Sequence, residues 1–415
     1  MPPGRAAVSQ SPLAVERARE LVLEATVRTP PERVPLDRCL GRITAAAVIS
    51  ELAAPPFDNS AMDGYALRSA DAAGEPGRLR IVAESRAGSP ADRGPGPGEA
   101  VRISTGAMIP PGADAVLPLE SAEERDGWVL PQRAVEAGEN LRRAGEDFGR
   151  GERLLGPGHE LSPAELGLLA AAGVTELECA ARPTIAVLTS GDELVAPGEP
   201  LAPGQIYDAS RQALPALAEL AGALPRFAGV LPDERHAVRD ALAAELDADV
   251  LVVAGGVSVG RHDHVKAALI EIGVEERFWR VALRPGGPTW FGVLPASAKR
   301  DRPTLVFGLP GNPVSAMVTF HLFVRPALRA MTGRPAAAER FGAILTEEYR
   351  KPAGRAHYLR CRIEHVDGTV RVRLTSSRQG SHVISSMIDA DALAVIPAVS
   401  ELVEAGTQVE VELLR

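Results

Sequence analysis

The residues best able to do chemistry gather at glycine-rich breaks that follow all-apolar runs. Leu188-Thr189-Ser190-Gly191-Asp192-Glu193 ends one such run with a glycine and two carboxylates. Glycine lets a backbone turn closely over a ligand, and Asp192 and Glu193 would then stand at a sheet edge. A βα turn with an acidic helix start fits the same residues equally well. Ala254-Gly255-Gly256-Val257-Ser258-Val259-Gly260-Arg261-His262-Asp263-His264 follows a second run. Its glycines, with Ser258, expose backbone N–H groups where an anion could sit, just ahead of a helix start. It lacks both the Lys-Ser/Thr ending of a P-loop and the GxGxxG spacing. His262 and His264 invite a zinc reading, but a pair of loop histidines is more often surface. Asp263 is the stronger metal candidate, because a carboxylate beside a phosphate cradle can hold Mg2+ through oxygen.

Phe307-Gly308-Leu309-Pro310-Gly311-Asn312-Pro313 sets Asn312 as N-cap and Pro313 in the first turn of a long helix, a second potential anion site. Ordinary capping accounts for Asn312 and Pro313, yet not for a glycine on each side of Leu-Pro. Asp208, in the run Gly204 to Asp208, precedes a helix capped by Ser210. Arg280 and Arg284 precede a Pro-Gly turn. In an extended segment that spacing puts both on one face, able to grip phosphate or oxyanion bidentately; a solvated basic face is equally consistent. Three further stretches, Ala54 to Tyr65, Arg102 to Gly106 and Gln379 to His382, are too irregular for a strand or amphipathic helix and read as functional loops or structural turns.

The elements that must position these residues follow from periodicity. Pro12 to Val27 has apolar positions at helical spacing, with Ser11 as N-cap and Pro12 as first helical residue. From Val34 to Glu178 short apolar runs broken by Gly and Pro predict a β-rich region, with one helix over Ser162 to Ala172 closed by Gly173. From Pro183 to Arg329 the pattern changes. Ile185–Leu188, Phe227–Leu231, Val250–Ala254 and Leu305–Phe307 read as buried strands, separated by helices over Arg211–Leu220, Glu234–Leu246, His264–Ile272 and Pro313–Ala330. Strands apolar on both faces and alternating with helices predict a parallel sheet covered on both sides, with ligands at the carboxyl ends of its strands. After Gly333 five alternating runs, Phe341–Thr346, Tyr358–Glu364, Val370–Leu374, Ala392–Ile396 and Gln408–Leu413, predict a small β domain.

The bulk properties bound the partners. The 415-residue chain, 45% hydrophobic and 24% charged, is long enough for several cores and balanced as a folded protein. A formal net charge of −9 disfavours nucleic acid and anionic lipid. Only Lys266, Lys299 and Lys351 are lysines, so the basic side is almost all arginine. Cys39, Cys179 and Cys361 form no CxxC pair, which suggests neither a disulfide framework nor a thiolate metal site. With no signal-like segment and no apolar run of ~18 residues, the expected location is the cytoplasm, without membrane contact.

Taken in order, PPFDNSAMDGYA at 55–66, RISTGAMIPPGADAV at 102–116, TSGDEL at 189–194, GQIYDAS at 204–210, GGVSVGRHD at 255–263, RPGGP at 284–288, GLPGNPVSA at 308–316 and QGSH at 379–382 closely resemble the molybdopterin molybdenumtransferase family, which includes the C-terminal domain of gephyrin. The resemblance implies a multidomain α/β plus β fold. Its parts would be an N-terminal helical and linker domain over 1–48 and 153–181, an inserted β-rich domain over 49–152, an α/β molybdopterin-binding domain over 182–333 and a C-terminal β domain over 338–415. It implies a reaction in molybdenum cofactor biosynthesis in which adenylylated molybdopterin is cleaved in a Mg2+- and molybdate-dependent step, AMP leaves and molybdenum is placed on the dithiolene sulfurs.

The same resemblance implies catalytic roles for Asp58, Glu193, Asp233 and Asp263, with Glu193 and Asp263 also at the metal. Thr105, Arg360 and Ser381 join the strand-end residues Gly191, Asp192, Asp208, Gly255, Gly256, Ser258, Gly260, Arg280, Arg284, Pro310, Gly311 and Asn312 as the substrate-binding set. A homodimer is implied, with contact to the molybdopterin adenylyltransferase and to molybdoenzymes conceivable. The family pattern has lysines at the positions of Arg280 and Arg284, and often another where Gly287 stands. That departure keeps open a member that binds cofactor or serves as a scaffold without turnover. The adenylyltransferase of the preceding step would need neither the insert nor the C-terminal β domain.

Overall fold

The apolar runs after Pro183 become the strands of one sheet. The computed structural model describes residues 11–73, 77–232, 234–257, 264–298 and 300–414. The chain divides into two compact units, Arg33–Cys179 and the remainder, Met1–Glu32 with Ala180–Arg415.

In the larger unit, β1 (Thr184–Ser190), α1 (Ser210–Leu220), β2 (Leu224–Leu231), α2 (Arg235–Ala244), β3 (Val250–Ala254), α3 (Val265–Ile272), β4 (Glu275–Trp279), β5 (Trp290–Leu294) and β6 (Thr304–Leu309) build a six-stranded sheet of order β2-β1-β3-β6-β5-β4. The four strands β2, β1, β3 and β6 are parallel, as expected from their two-sided apolar runs. β5 pairs antiparallel with β6, and β4 antiparallel with β5. Neither strand is among those expected from the sequence.

Alternate residues of each central strand feed opposite cores. Ile185, Val187, Val250, Val252, Leu305 and Phe307 face Leu214 of α1, Phe320, Phe323 and the opening helix. Ala186, Leu188, Leu251, Val253 and Val306 face Val238 and Leu242 of α2 and Leu269 of α3. Each such fully buried aliphatic chain contributes roughly 1.5–3 kcal/mol. By contrast β2, expected to be buried, is the sheet's edge and is largely half-exposed.

Two helical expectations are corrected. The opening helix spans Val15–Glu24 with Ala14 as N-cap and no side-chain cap, so Ser11 and Pro12 precede it; Leu13 is instead held by a bridge to Val281. The expected single helix Pro313–Ala330 is α4 (Pro313–Thr319), a π turn (Phe320–Val324) and α5 (Arg325–Thr332). Pro326 lacks the N–H that would bond the Leu322 carbonyl four residues back, so the ladder slips there. Arg19 of the opening helix donates its Nε–H to that carbonyl at 3.1 Å.

The C-terminal strands β7 (Arg340–Leu345), β8 (Ala356–Val366), β9 (Thr369–Leu374), β10 (Ala392–Ile396) and β11 (Gln408–Leu413) run in the order β8-β9-β7-β11-β10, and β10 pairs back onto β8 to close a barrel. The two-residue strand Leu283–Arg284 is added beside β8.

The Arg33–Cys179 unit has its own six-stranded sheet, in the order Ala115–Pro118, Gly64–Leu67, Glu99–Ile103, Leu79–Ser85, Trp128–Pro131, Ala122–Arg125. Gly64–Leu67 is a fully buried strand inside it, so the irregular reading of Ala54 to Tyr65 fails at its C-terminal end. The helix Pro163–Ala171 forms with a complete Ser162/Glu165 capping box, and Gly173 follows it at φ +76°.

Candidate functional site

The winding of the larger unit reverses between β1 and β3. β1 leads through α1 to β2 on one side, while β3 leads through α3 to the strands on the other. Such a reversal opens a crevice at the carboxyl ends of the strands. A cavity of about 400 Å3 occupies it. Its walls are Thr189, Ser190 and Glu193 at the end of β1, Ile206 to Ser210 at the start of α1, Ala254 to Val257 at the end of β3, Pro288, and Pro310 to Pro313 after β6.

Two glycines of this wall, Gly255 and Gly256, are sterically required. A Cβ on Gly255, at φ +94°, would stand 2.3 Å from the Ser190 carbonyl oxygen, and one on Gly256, at φ +68°, would stand 2.6 Å from Val265. Strand ends β1 and β3 therefore meet backbone to backbone, and any side chain at 255 would force them apart.

Asp208 is only 2% exposed, and both its carboxylate oxygens are committed within the protein. The Thr189 hydroxyl donates to Oδ2 at 2.7 Å, and the Arg211 N–H donates to Oδ1 at 3.0 Å. Asp208 thus ties the end of β1 to the start of α1. Ser210, expected as the cap, is the first helical residue and lines the cavity. Asn312 is the N-cap of α4 by backbone, but its side chain makes no capping bond. Of the N–H groups expected to be free at this helix start, that of Val314 donates to the Ser381 carbonyl at 3.3 Å. That bond brings the 379–382 segment of the barrel domain to the cavity's edge.

A second, basic cavity of about 250 Å3 lies on the other side of the Pro285 to Pro288 turn, where Pro285 lines it and Pro288 lines the first. It takes Arg284, Arg360, Tyr349, His357 and Gln379. Arg360 is fully buried. Its Nε–H donates to Ser386 Oγ at 3.1 Å and its Nη2 to the Gly380 carbonyl at 3.3 Å, while Nη1 has no partner. Burial pulls this guanidinium down to about 10, a measure of how poorly it is solvated without a counter-charge.

Arg280 goes elsewhere. It sits at φ +70°, not in an extended segment, and its guanidinium lies 4.4 Å from the Trp279 ring centroid. The expected shared face of Arg280 and Arg284 therefore does not form, and Arg280 lines neither cavity.

The structure thus gathers Glu193, Asp208, Gly255, Gly256, Pro310, Gly311 and Asn312 around the first cavity and Arg284 with Arg360 around the second. Gly191 and Asp192 lie next to Glu193 but outside the lining. Asp233, Ser258, Gly260 and Asp263, with His262, lie outside the described residues. Among the described residues, no three acidic, His or Cys side chains gather as a metal site.

Asp58 and Thr105 belong to the Arg33–Cys179 unit, each with partners of its own. The Ala144 N–H and Arg143 hold the Asp58 carboxylate below its usual range, at 2.8 and 2.6 Å. Asp63 accepts from the Thr105 N–H at 2.7 Å.

Ser190 and Tyr207 were not singled out by sequence although they sit inside the motifs, and Ser210 was expected only as a helix cap. Tyr349 and His357 carried no signal at all, since only barrel closure brings them to the cavity.

Three family models match successive parts of the chain: the MoeA N-terminal region (domain I and II) over residues 13–173, a probable molybdopterin binding domain over 186–330, and the MoeA C-terminal region (domain IV) over 342–414. The molybdopterin molybdenumtransferase of Haemophilus influenzae is 36% identical over 406 residues, covering 96% of this chain and 98% of that one. The protein of the same name from Bacillus subtilis is 32% identical over 422 residues, covering 98% and 95%. A crystal structure of the molybdopterin biosynthesis MoeA protein from Pyrococcus horikoshii matches with a TM-score of 0.82 at 32% identity, covering 98% of this chain and 100% of that one.

Proposed function

The chain belongs to the molybdopterin molybdenumtransferase family, and on that premise we propose that it inserts molybdenum from molybdate into adenylylated molybdopterin, releasing AMP, in molybdenum cofactor biosynthesis. The observation that carries this reading is the pairing of two cavities across one four-residue turn, one walled by glycine backbone and the other holding a buried guanidinium with an unpaired nitrogen.

In this reading the pyrophosphate of the adenylylated substrate lies in the first cavity. Gly255 and Gly256 let it approach the backbone, and the uncommitted Asn312 carboxamide donates to it. Molybdate lies in the second cavity, gripped by Arg360 Nη1 and by Arg284. Asp208 acts through Thr189 and α1, holding the cradle in shape. Water attacks the phosphoanhydride so that AMP leaves and molybdopterin keeps its own phosphate. At a site one turn away the two dithiolene sulfurs replace two molybdate oxygens, which leave as water with the thiol protons and two from solvent.

Glu193 on the wall of the first cavity suits Mg2+, which is typically held by one or two carboxylates plus substrate phosphates, and Asp263 would be the second donor. Bound there, the ion would offset phosphate charge in the anhydride. A homodimer to which Asp58 and Thr105 contribute, and a cytoplasmic location with handover partners from the same pathway, complete the proposal on the strength of the family resemblance. Relatives that match along their full length carry the transferase name, so a non-catalytic scaffold is not favoured.

The test is AMP release from adenylylated molybdopterin with Mg2+, with molybdate and tungstate in parallel. AMP should appear only when the oxyanion is present. No release at any molybdate concentration would end the reading.

A further inference from the structure

The basic cavity holds a pair of uncharged groups that the reading above leaves unused. The Tyr349 hydroxyl lies 2.9 Å from His357 Nδ1, and the two rings meet edge-on with centroids 5.8 Å apart. Both residues line the cavity beside Arg284 and Arg360. The barrel fixes their places. Tyr349 stands on the short strand Tyr349–Arg350, paired with Leu402–Val403, and His357 on β8 between Ile396 of β10 and Arg284.

His357 is 4% exposed. Burial, then the charges of Lys351, Arg284 and Arg355, push its imidazole down to about 4, so it is neutral at physiological pH with one nitrogen donor. Lys351 adds field but no free donor, because its ammonium is taken by the carbonyls of Arg355 at 3.0 Å, Ala398 at 3.3 Å and Pro352 at 3.4 Å. Arg360 offers only Nη1. Arg360 so constrained, with Arg284 exposed at the cavity's rim, leaves part of a tetrahedral oxyanion's acceptor capacity on the buried side unmet. A buried oxyanion needs further donors.

We propose that the Tyr349 hydroxyl is a direct hydrogen-bond donor to the oxyanion in this cavity, oriented by His357, and that it sets the preference for molybdate over smaller tetrahedral oxyanions. In this arrangement His357 Nδ1–H donates to the Tyr349 oxygen, which leaves the phenolic proton for the ligand. Tyr349 is the binding group and His357 the positioning residue. Because the hydroxyl is carried on a half-buried ring and held against the buried His357 rather than borne on a flexible chain, it stands at a set depth and cannot follow an anion with shorter bonds. The inference rests on the oxyanion reading of this cavity.

The test is calorimetric titration of the full chain with sodium molybdate and, separately, sodium sulfate, with urea midpoints recorded for each variant. Tyr349→Phe should weaken molybdate binding about tenfold or more, as for a lost bond to a charged group, and sulfate binding no more than about twofold, because an anion with shorter bonds makes little of that bond to lose. His357→Leu should reproduce part of that loss, while His357→Asn, which keeps a donor at the Nδ1 position, should restore it. If Tyr349→Phe proves unfolded, the His357 pair decides the matter by the same criterion. Wild-type molybdate affinity in Tyr349→Phe or in His357→Leu, alongside weakened binding in Arg360→Met, would overturn the inference and leave the oxyanion cavity standing. Wild-type affinity in both Arg360→Met and Arg284→Met, or none in the wild type, would remove the cavity's role and the inference with it.

Discussion

Single residues decide where charge is available in this protein. Where the family resemblance leads to the expectation of a third cation this chain has Gly287, yet there is room for one. A Cβ at that position would stand 3.4 Å from the Leu283 carbonyl and 3.6 Å from that of Val281, ordinary contact distances. Gly287 lies in the turn between the two cavities, so Gly287→Lys should add a positive charge at the oxyanion without displacing the backbone. The expected outcome is an apparent KM for molybdate lowered several-fold in AMP-release kinetics, with little change in kcat; an unchanged KM would mean that Arg284 and Arg360 already saturate the site.

His357 also makes a prediction for stability. Its folded value of about 4 is depressed from an ordinary ~6.5, so below ~6.5 the unfolded chain takes a proton that the folded chain resists. This contribution is fully present above pH ~6.5 and is lost as pH falls toward 4, by up to about 3 kcal/mol. Urea midpoints measured between pH 7 and pH 5 should therefore fall less steeply in His357→Asn than in the wild type.

At the scale of elements, residues adjacent in sequence made the legible part of the site. Gly255, Gly256, Pro310, Gly311 and Asn312 could be read because a strand end, a glycine and a helix start occupy a few consecutive positions, each with a fixed backbone demand. The helix Pro163–Ala171 was legible for the same reason. Ser162 Oγ accepts from the Ala164 N–H at 3.2 Å, Glu165 accepts from the Ser162 N–H at 2.8 Å, and His159 approaches Glu165 at 3.1 Å. These bonds, that of Ser162 foremost, hold Glu165 down to about 2. Ser162→Ala should cost about 1 kcal/mol by chemical denaturation, and a cost near zero would mean that tertiary packing alone holds this helix. The break in the last long helix was not legible, because Pro326 alone does not say whether a helix bends, stops or slips into a π turn. The Arg19 bond to the Leu322 carbonyl, from more than 300 residues away, accompanies the slip.

For the molecule as a whole, sequence alone determined the α/β core, the C-terminal β domain, the glycine cradle and the family. All of these depend on local backbone conformation or on apolar periodicity, which a chain carries wherever it folds. Tertiary structure alone decided which polar groups are spent and which are left for a ligand. Asp208 looked like a ligand and is committed on both oxygens, whereas Arg360 keeps one nitrogen unpaired inside a buried site. It also separated Arg280, stacked on Trp279, from Arg284, which joins Arg360 across 76 positions of sequence. Burial and hydrogen-bond partnership are through-space quantities set by how distant segments pack. The basic cavity exists only because a barrel strand lies beside the turn that follows the sheet's outermost strand.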